Sequence, residues 1–327
     1  PIIKDKTSFN IAMRRSWADL FTAPVFFLLN RSNPDDKKNV RYAFYDINGK
    51  ITHHFSDNNK LSLSVYSGND LLKAKAQQVF DKGEHYDSDF KAKWGNLTTA
   101  LTWNCQITPK LSGSFTGAYS RNISMYDYVE GSRFFSDGEQ TSMTGMERSN
   151  HSTIDDMGYR MEFDYRPGTN HHIRFGSNYL HHIYHPQNTA SKNQTDRDTL
   201  SAESASSYKG NEVAFYAEDE MRLSSKAKLN TGLHYTLYQT DGKIYHSLEP
   251  RLAMSYQCSE KATMKVSYTE MSQFAHQLSN TYLNLPTDSW VPSTRKVRPM
   301  RSRQVAAGIY TELPRHIRLN VEGYYRT

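Results

Sequence analysis

Gly95-Asn96-Leu97-Thr98-Thr99-Ala100-Leu101-Thr102-Trp103-Asn104-Cys105-Gln106-Ile107 decides the fold class. Leu97, Thr99, Leu101, Trp103, Cys105 and Ile107 occupy every second position, and Asn96, Thr98, Thr102, Asn104 and Gln106 fall between them, with Ala100. Successive side chains of an extended chain point to opposite faces, so this segment carries one apolar and one polar face. The next run repeats the pattern, with Leu111, Gly113, Phe115, Gly117 and Tyr119 opposing Ser112, Ser114, Thr116 and Ser120. It returns at residues 159–165, 229–237, 252–256 and 317–325. No stretch of comparable length shows a helical repeat, and the spacing predicts an all-β chain.

The punctuation predicts the topology. Short polar turns stand at residues 56–59, 108–110, 167–170, 224–225, 259–261 and 314–315. Long connections are expected at 18–39, 70–93, 124–150, 187–210 and 272–300, with 241–245 as a shorter exception. Short turns at one end therefore alternate with long loops at the other. The reading gives about 13 strands of roughly 9 to 15 residues, longer than the usual ~5–6.

Two architectures hold such strands. A soluble sandwich buries the apolar faces but has shorter strands and short loops at both ends. A transmembrane barrel crosses with about 9–11 tilted residues and turns its apolar face to lipid. Closure is forced because hydrocarbon cannot satisfy free backbone N–H and C=O groups. Strand length, loop asymmetry, a mean hydropathy of −0.75 and an excess of tyrosine (22 residues) favour the barrel. No run is long and apolar enough for a membrane helix, the best being residues 23–29. Lys+Arg total 40 against 34 Asp+Glu, a net charge of +6 spread along the chain, which argues against a nucleic-acid partner.

The sequence resembles the barrel of TonB-dependent outer-membrane receptors, particularly the Bacteroidetes type that carries a carboxypeptidase-regulatory-like N-terminal domain. The resemblance runs through Pro1-Ile2-Ile3-Lys4-Asp5-Lys6-Thr7-Ser8-Phe9, Arg14-Arg15-Ser16-Trp17, Phe44-Tyr45-Asp46-Ile47-Asn48-Gly49-Lys50 and Leu61-Ser62-Leu63-Ser64-Val65-Tyr66. It continues through Leu248-Glu249-Pro250-Arg251, Leu283-Asn284-Leu285-Pro286-Thr287-Asp288-Ser289-Trp290 and Val321-Glu322-Gly323-Tyr324-Tyr325. It implies an antiparallel up-and-down transmembrane β-barrel in the bacterial outer membrane, with 22 strands around a plug. Residues 1–327 would then be an internal piece of that barrel, with the plug and the N-terminal domain absent. The implied function is TonB-dependent uptake of a nutrient ligand of unknown identity. Implied partners are outer-membrane lipids and lipopolysaccharide, the TonB complex through the missing plug, and a surface lipoprotein. A passive porin- or adhesin-like barrel without energy coupling is the alternative, and a soluble sugar-binding β protein stands behind it.

No catalytic, cofactor or metal site is expected. His53-His54, His171-His172 and His181-His182 are adjacent pairs, which a strand splits between opposite faces. Glu218 and Glu220 share a face with Glu212 and suit a hydrated wall, whereas Asp219, on the apolar face, belongs near an interface where a charge costs less. A Cys105–Cys258 disulfide is not expected, because their strands are far apart in a meander. The loop 272–300 carries the one candidate ligand site: His276, Gln277, Tyr282, Trp290 and Arg295 place aromatic surface beside hydrogen-bonding groups.

Overall fold

The computed structural model describes residues 3–4, 6–80, 83–136, 139–196, 198–278, 288–314 and 317–327. Among them a single fourteen-stranded antiparallel sheet dominates. Its strands run in chain order as β1 (Thr7–Arg15), β2 (Asp36–Ser56), β3 (Asn59–Phe80), β4 (Glu84–Thr108), β5 (Leu111–Ser136), β6 (Glu139–Tyr165), β7 (His171–Thr195), β8 (Thr199–Ala205), β9 (Tyr208–Arg222), β10 (Ala227–Thr240), β11 (Lys243–Ser259) and β12 (Ala262–Gln273). A small hairpin, β13 (Ala275–Leu278) with β14 (Ser289–Pro292), interrupts the series before β15 (Met300–Leu313) and β16 (Ile317–Arg326). Sequential strands are neighbours throughout, except that β8 lies off the path on β7 and β9 also pairs with β7. Among the described residues β1 and β16 end the path, and the sheet does not close.

The alternation read from residues 95–107 sets the two faces. Ile51, Leu63, Leu101 and Gly117 form one cross-strand row, and Trp103, Phe115 and Met161 another, all on the outward face. Trp103 stacks on Phe115 at 5.3 Å, Phe115 meets Phe163 edge-on at 5.7 Å, and Phe163 stacks on Phe175 at 5.1 Å. That ladder lies near the tight turns, where a membrane interface collects aromatic rings. Farther along, Tyr159 faces Tyr179, and Tyr179 donates to Asn211 at 3.0 Å. The inward face carries Asn48, Ser62, Thr102, Thr116 and Arg160, with Thr102 and Thr116 hydrogen-bonded at 3.1 Å. The fold is therefore the wall of an up-and-down β-barrel, apolar outside and polar inside. Among the described residues no helix is long and apolar enough to cross a membrane, which has no bearing on crossing by strands.

Three expectations are corrected. Residues 18–39 are not simply a loop: α1 (Ala18–Ser32) fills most of the segment. Its sequence is apolar nearly all round and contains Pro24, so it shows no polar stripe at helical spacing. Residues 70–93, 124–150 and 187–210 are also mostly strand, so β5 and β6 reach 26 and 27 residues. The alternation persists there, with Lys73, Lys75 and Gln77 between Ala74, Ala76 and Gln78, but the outward side turns from apolar to charged. Charge had marked loop, whereas it marks strand emerging from the membrane. The third is the β10–β11 connection, a two-residue Asp241-Gly242 turn with positive φ at both positions.

The tight turns at 56–59, 108–110, 167–170, 224–225 and 259–261 stand where the short polar runs placed them, and three have register shifts beside them, at His54/Ser56, Gln106/Thr108 and Gln257/Ser259, whereas the expected 314–315 turn lies partly outside the described residues. Asp219 lies close to the 167–170 turn, with His171 Nδ1 at 2.7 Å on the same face. Cys105 and Cys258 are both free.

Candidate functional site

The inward faces of β6, β7 and β9–β12 converge on a polar cluster that adjacent-residue patterns do not show. Register places Asp156 opposite His182, and His234 opposite Glu249. Asp156 Oδ1 is 2.6 Å from His182 Nδ1, and Glu212 reaches the other ring nitrogen at 4.0 Å. Glu249 is 5% exposed and accepts from the Ser247 hydroxyl at 3.0 Å and the Ser272 backbone N–H at 3.1 Å. His234 Nδ1 at 3.3 Å and Arg251 at 3.7 Å complete its surroundings. A buried carboxylate with this many partners is held in one rotamer. The cluster opens into a cleft of about 470 Å³, capped by Met271, Gln273 and Phe274.

The segment after β12 folds back over this cleft. Phe274 stacks on the fully buried Tyr238 at 4.7 Å, with Tyr184 alongside. The β13–β14 hairpin follows and packs against β6, β7 and β9. It pairs His276 with Val291 and Gln277 with Trp290, bringing three of the five sequence candidates together. His276 Nε2 is 3.0 Å from the buried Ser293 hydroxyl, Gln277 is exposed, and Trp290 is half-buried. Arg295 is not with them. Its Nε donates at 2.9 Å to the Asp241 carbonyl, so the guanidinium braces the β10–β11 turn. Tyr282 lies outside the described residues.

Above the lipid-facing band, the inward face of β2–β5 carries rings. Tyr42 stacks on Trp94 at 6.3 Å and Phe90 on Tyr126 at 6.4 Å. Tyr42 donates to Asp70, while Tyr86 and Tyr128 both donate to Glu130 Oε2, at 3.0 and 2.6 Å. The bond to Glu130, helped by Tyr86, raises the Tyr128 phenol above its ordinary value, and the Asp70 bond does the same for Tyr42. Sequence reasoning missed this wall because Asp70, Tyr86, Phe90, Tyr126, Tyr128 and Glu130 lie in segments assigned to loops, with Tyr42 and Trp94 just beyond their ends. Their signal was the same parity as the lower strands. Among the described residues no group of three or more His, Cys, Asp or Glu is arranged to hold a metal ion.

Comparisons place this architecture among known ones. A search of curated proteins finds no match. Several solved structures share the fold. The RagAB peptide importer in the "closed-closed" state has a TM-score of 0.58 and 8% identity over 98% of this chain and 42% of its own. The siderophore receptor PiuA from Acinetobacter baumannii has a TM-score of 0.58 and 10% identity over 98% and 53%. The ferric-catecholate import receptor Fiu from K12 E. coli has a TM-score of 0.51 and 9% identity over 88% and 57%. This chain thus spans about half the length of those it matches. The family model for the TonB dependent receptor-like β-barrel matches residues 22–327, so the chain belongs to the TonB-dependent receptor β-barrel family.

Proposed function

We propose that this chain is part of the wall of an outer-membrane receptor that takes up a nutrient ligand by TonB-dependent active transport. The family match over residues 22–327 is the observation that carries the reading. A longer protein would supply the remaining strands and a plug that contacts the TonB complex. The strands between the tight turns and the charged rim sit in the bacterial outer membrane, and the β3–β6 extensions stand outside the cell. The chain contributes no reaction chemistry.

In this reading ligand enters past the Tyr42/Trp94 and Phe90/Tyr126 rings and meets the β13–β14 hairpin. His276, Gln277, Tyr282 and Trp290 would grip it there, with Arg295 holding the adjoining turn. A surface lipoprotein above the loops enters the proposal only through the resemblance.

The test is uptake by the full-length receptor in cells with and without a working TonB complex. Uptake that disappears with TonB, and ligand affinity that falls on Trp290→Ala, are the expected results. A stable open conductance in planar bilayers, with uptake indifferent to TonB, would establish the passive barrel instead.

A further inference from the structure

Two hydrogen-bond acceptors meet in the cleft under the Phe274 segment with nothing to donate to them. The first is His182, which is 7% exposed and has Tyr184 and Tyr238 against its ring, with centroids at 5.7 and 6.3 Å. Asp156 Oδ1 lies 2.6 Å from His182 Nδ1. A carboxylate only accepts, so Nδ1 carries the hydrogen and the neutral ring leaves Nε2 as a bare acceptor. Nε2 is buried, has no hydrogen-bond partner among the described residues, and belongs to a side chain that lines the cleft. A buried polar atom left in that state is costly and calls for a partner.

The second acceptor is Glu212. It lines the same cleft, and among the described residues it accepts no hydrogen bond. Its Oε2 stands 4.0 Å from His182 Nε2, too far for a hydrogen bond between them. That gap is close to the span that one tetrahedral N–H donor bridges when it bonds two acceptors at ordinary lengths.

Charge and shape point the same way. Three carboxylates line the cleft, Asp156, Glu212 and Glu249, against Arg251 as the one fixed cation among the described residues. Arg251 is engaged by Glu249 at 3.7 Å, and His234 also faces Glu249, at 3.3 Å. Ile154, Tyr184, Met271 and Phe274 give the remaining wall apolar and aromatic surface. At about 470 Å³ the cleft has the size of a small-molecule site.

We propose that this cleft binds the primary ammonium group of a ligand that carries it on an aliphatic stem. One N–H would donate to His182 Nε2 and a second to Glu212, while Tyr184 and Phe274 line the stem and favour the positive charge. A quaternary ammonium brings the charge without an N–H and would leave both acceptors unfilled. An anionic group would meet three carboxylates. The inference rests on the proposed function, in that it names the chemistry of the ligand being taken up.

The experiment uses the full-length receptor in nanodiscs of zwitterionic lipid and measures dissociation constants by ligand-observed NMR. The probes are n-pentylammonium, pentyltrimethylammonium and n-pentanol, which share one stem. Wild type should bind n-pentylammonium at least about tenfold more tightly than either of the others, the difference expected of one charge-assisted hydrogen bond. Glu212→Gln should remove most of that preference and leave n-pentanol binding unchanged. Glu220→Gln, which removes an inward charge nearer the tight turn of the same strand, should behave as wild type with all three probes.

Equal binding of the three probes by wild type overturns the proposal, and that comparison needs no variant to fold. Pentyltrimethylammonium binding as tight as that of n-pentylammonium overturns it as well, because the site would then read charge and not N–H groups. So do equal losses at Glu212→Gln and Glu220→Gln, which would reveal a diffuse negative field. Uptake that is indifferent to TonB refutes the receptor reading and leaves the probe result standing. Probe binding that ignores the ammonium in a TonB-dependent receptor refutes only this inference.

Discussion

Gly158 and Gly117 lie on adjoining strands and have opposite tolerances. A Cβ at Gly158 would collide with the Tyr179 carbonyl oxygen and come within 2.9 Å of its carbonyl carbon and 3.0 Å of Leu180 Cα, all backbone of β7. Nothing lies within 4 Å at Gly117. Backbone in a ladder cannot swing aside, so Gly158→Ala should cost about 1–3 kcal/mol, while Gly117→Ala should be neutral or mildly stabilising. Urea titration of the receptor refolded into vesicles measures both. Glu249 permits a second test at this scale. Glu249→Ala would leave the Ser272 N–H without its acceptor and His234 and Arg251 without their counter-charge, while the Ser247 hydroxyl keeps only the Ser272 hydroxyl at 2.7 Å. A loss of about 2–3 kcal/mol is expected. Because Ser272 sits at the root of the inward-folding segment, hydrogen exchange should rise across β13 and β14 before it rises elsewhere.

At the scale of elements, α1 and β2 show how a strand edge is managed. β1 ends its pairing at Arg15–Tyr45, which leaves residues 36–44 of β2 without a strand on that side. Asn30 of α1 substitutes for one: its side-chain nitrogen donates to the Lys38 carbonyl and its oxygen accepts from the Lys38 N–H, each at 2.8 Å. The Ser16 backbone N–H and hydroxyl satisfy Phe44 in the same way. Asn30→Ala should therefore deprotect the Lys38 amide and loosen α1 from β2 by about 1–2 kcal/mol, with little change at β5 or β6. Such pairings explain where sequence reading stopped. Strand identity, tight turns and faces were legible because period two is local. Where a strand ends was not, because a charged outward residue such as Lys73 or Asp89 reads as loop until lipid is known to stop below it. The site divides similarly. His276, Gln277 and Trp290 stood out by composition within one loop, whereas Glu249, His234, Asp156 and His182 become a cluster only through the register of separate strands.

For the whole molecule, the decisive property is that exposure in the protein and burial in the membrane are inverted. Leu101 is 49% exposed and Thr102, the next residue, faces the interior beside Thr116. In a soluble sandwich an arginine would be tolerated at the exposed position and costly at the half-buried one. The barrel reverses that order. Leu101→Arg puts a charge in the lipid-facing row with Leu63 and Gly117, one row above the interfacial aromatic ladder, where a cost of about 1–2 kcal/mol is expected, between the interface and midplane values. Thr102→Arg adds a charge to a polar, hydrated face that already carries Arg160 and should cost well under half as much. Refolding the two full-length variants into vesicles, with denaturant midpoints compared against wild type, measures the difference directly. Equal losses would mean that the outward row does not meet lipid. A larger loss at Thr102 would turn the sheet inside out, and with it the assignment of the Glu249 cluster and the inward-folded hairpin to the interior of the barrel.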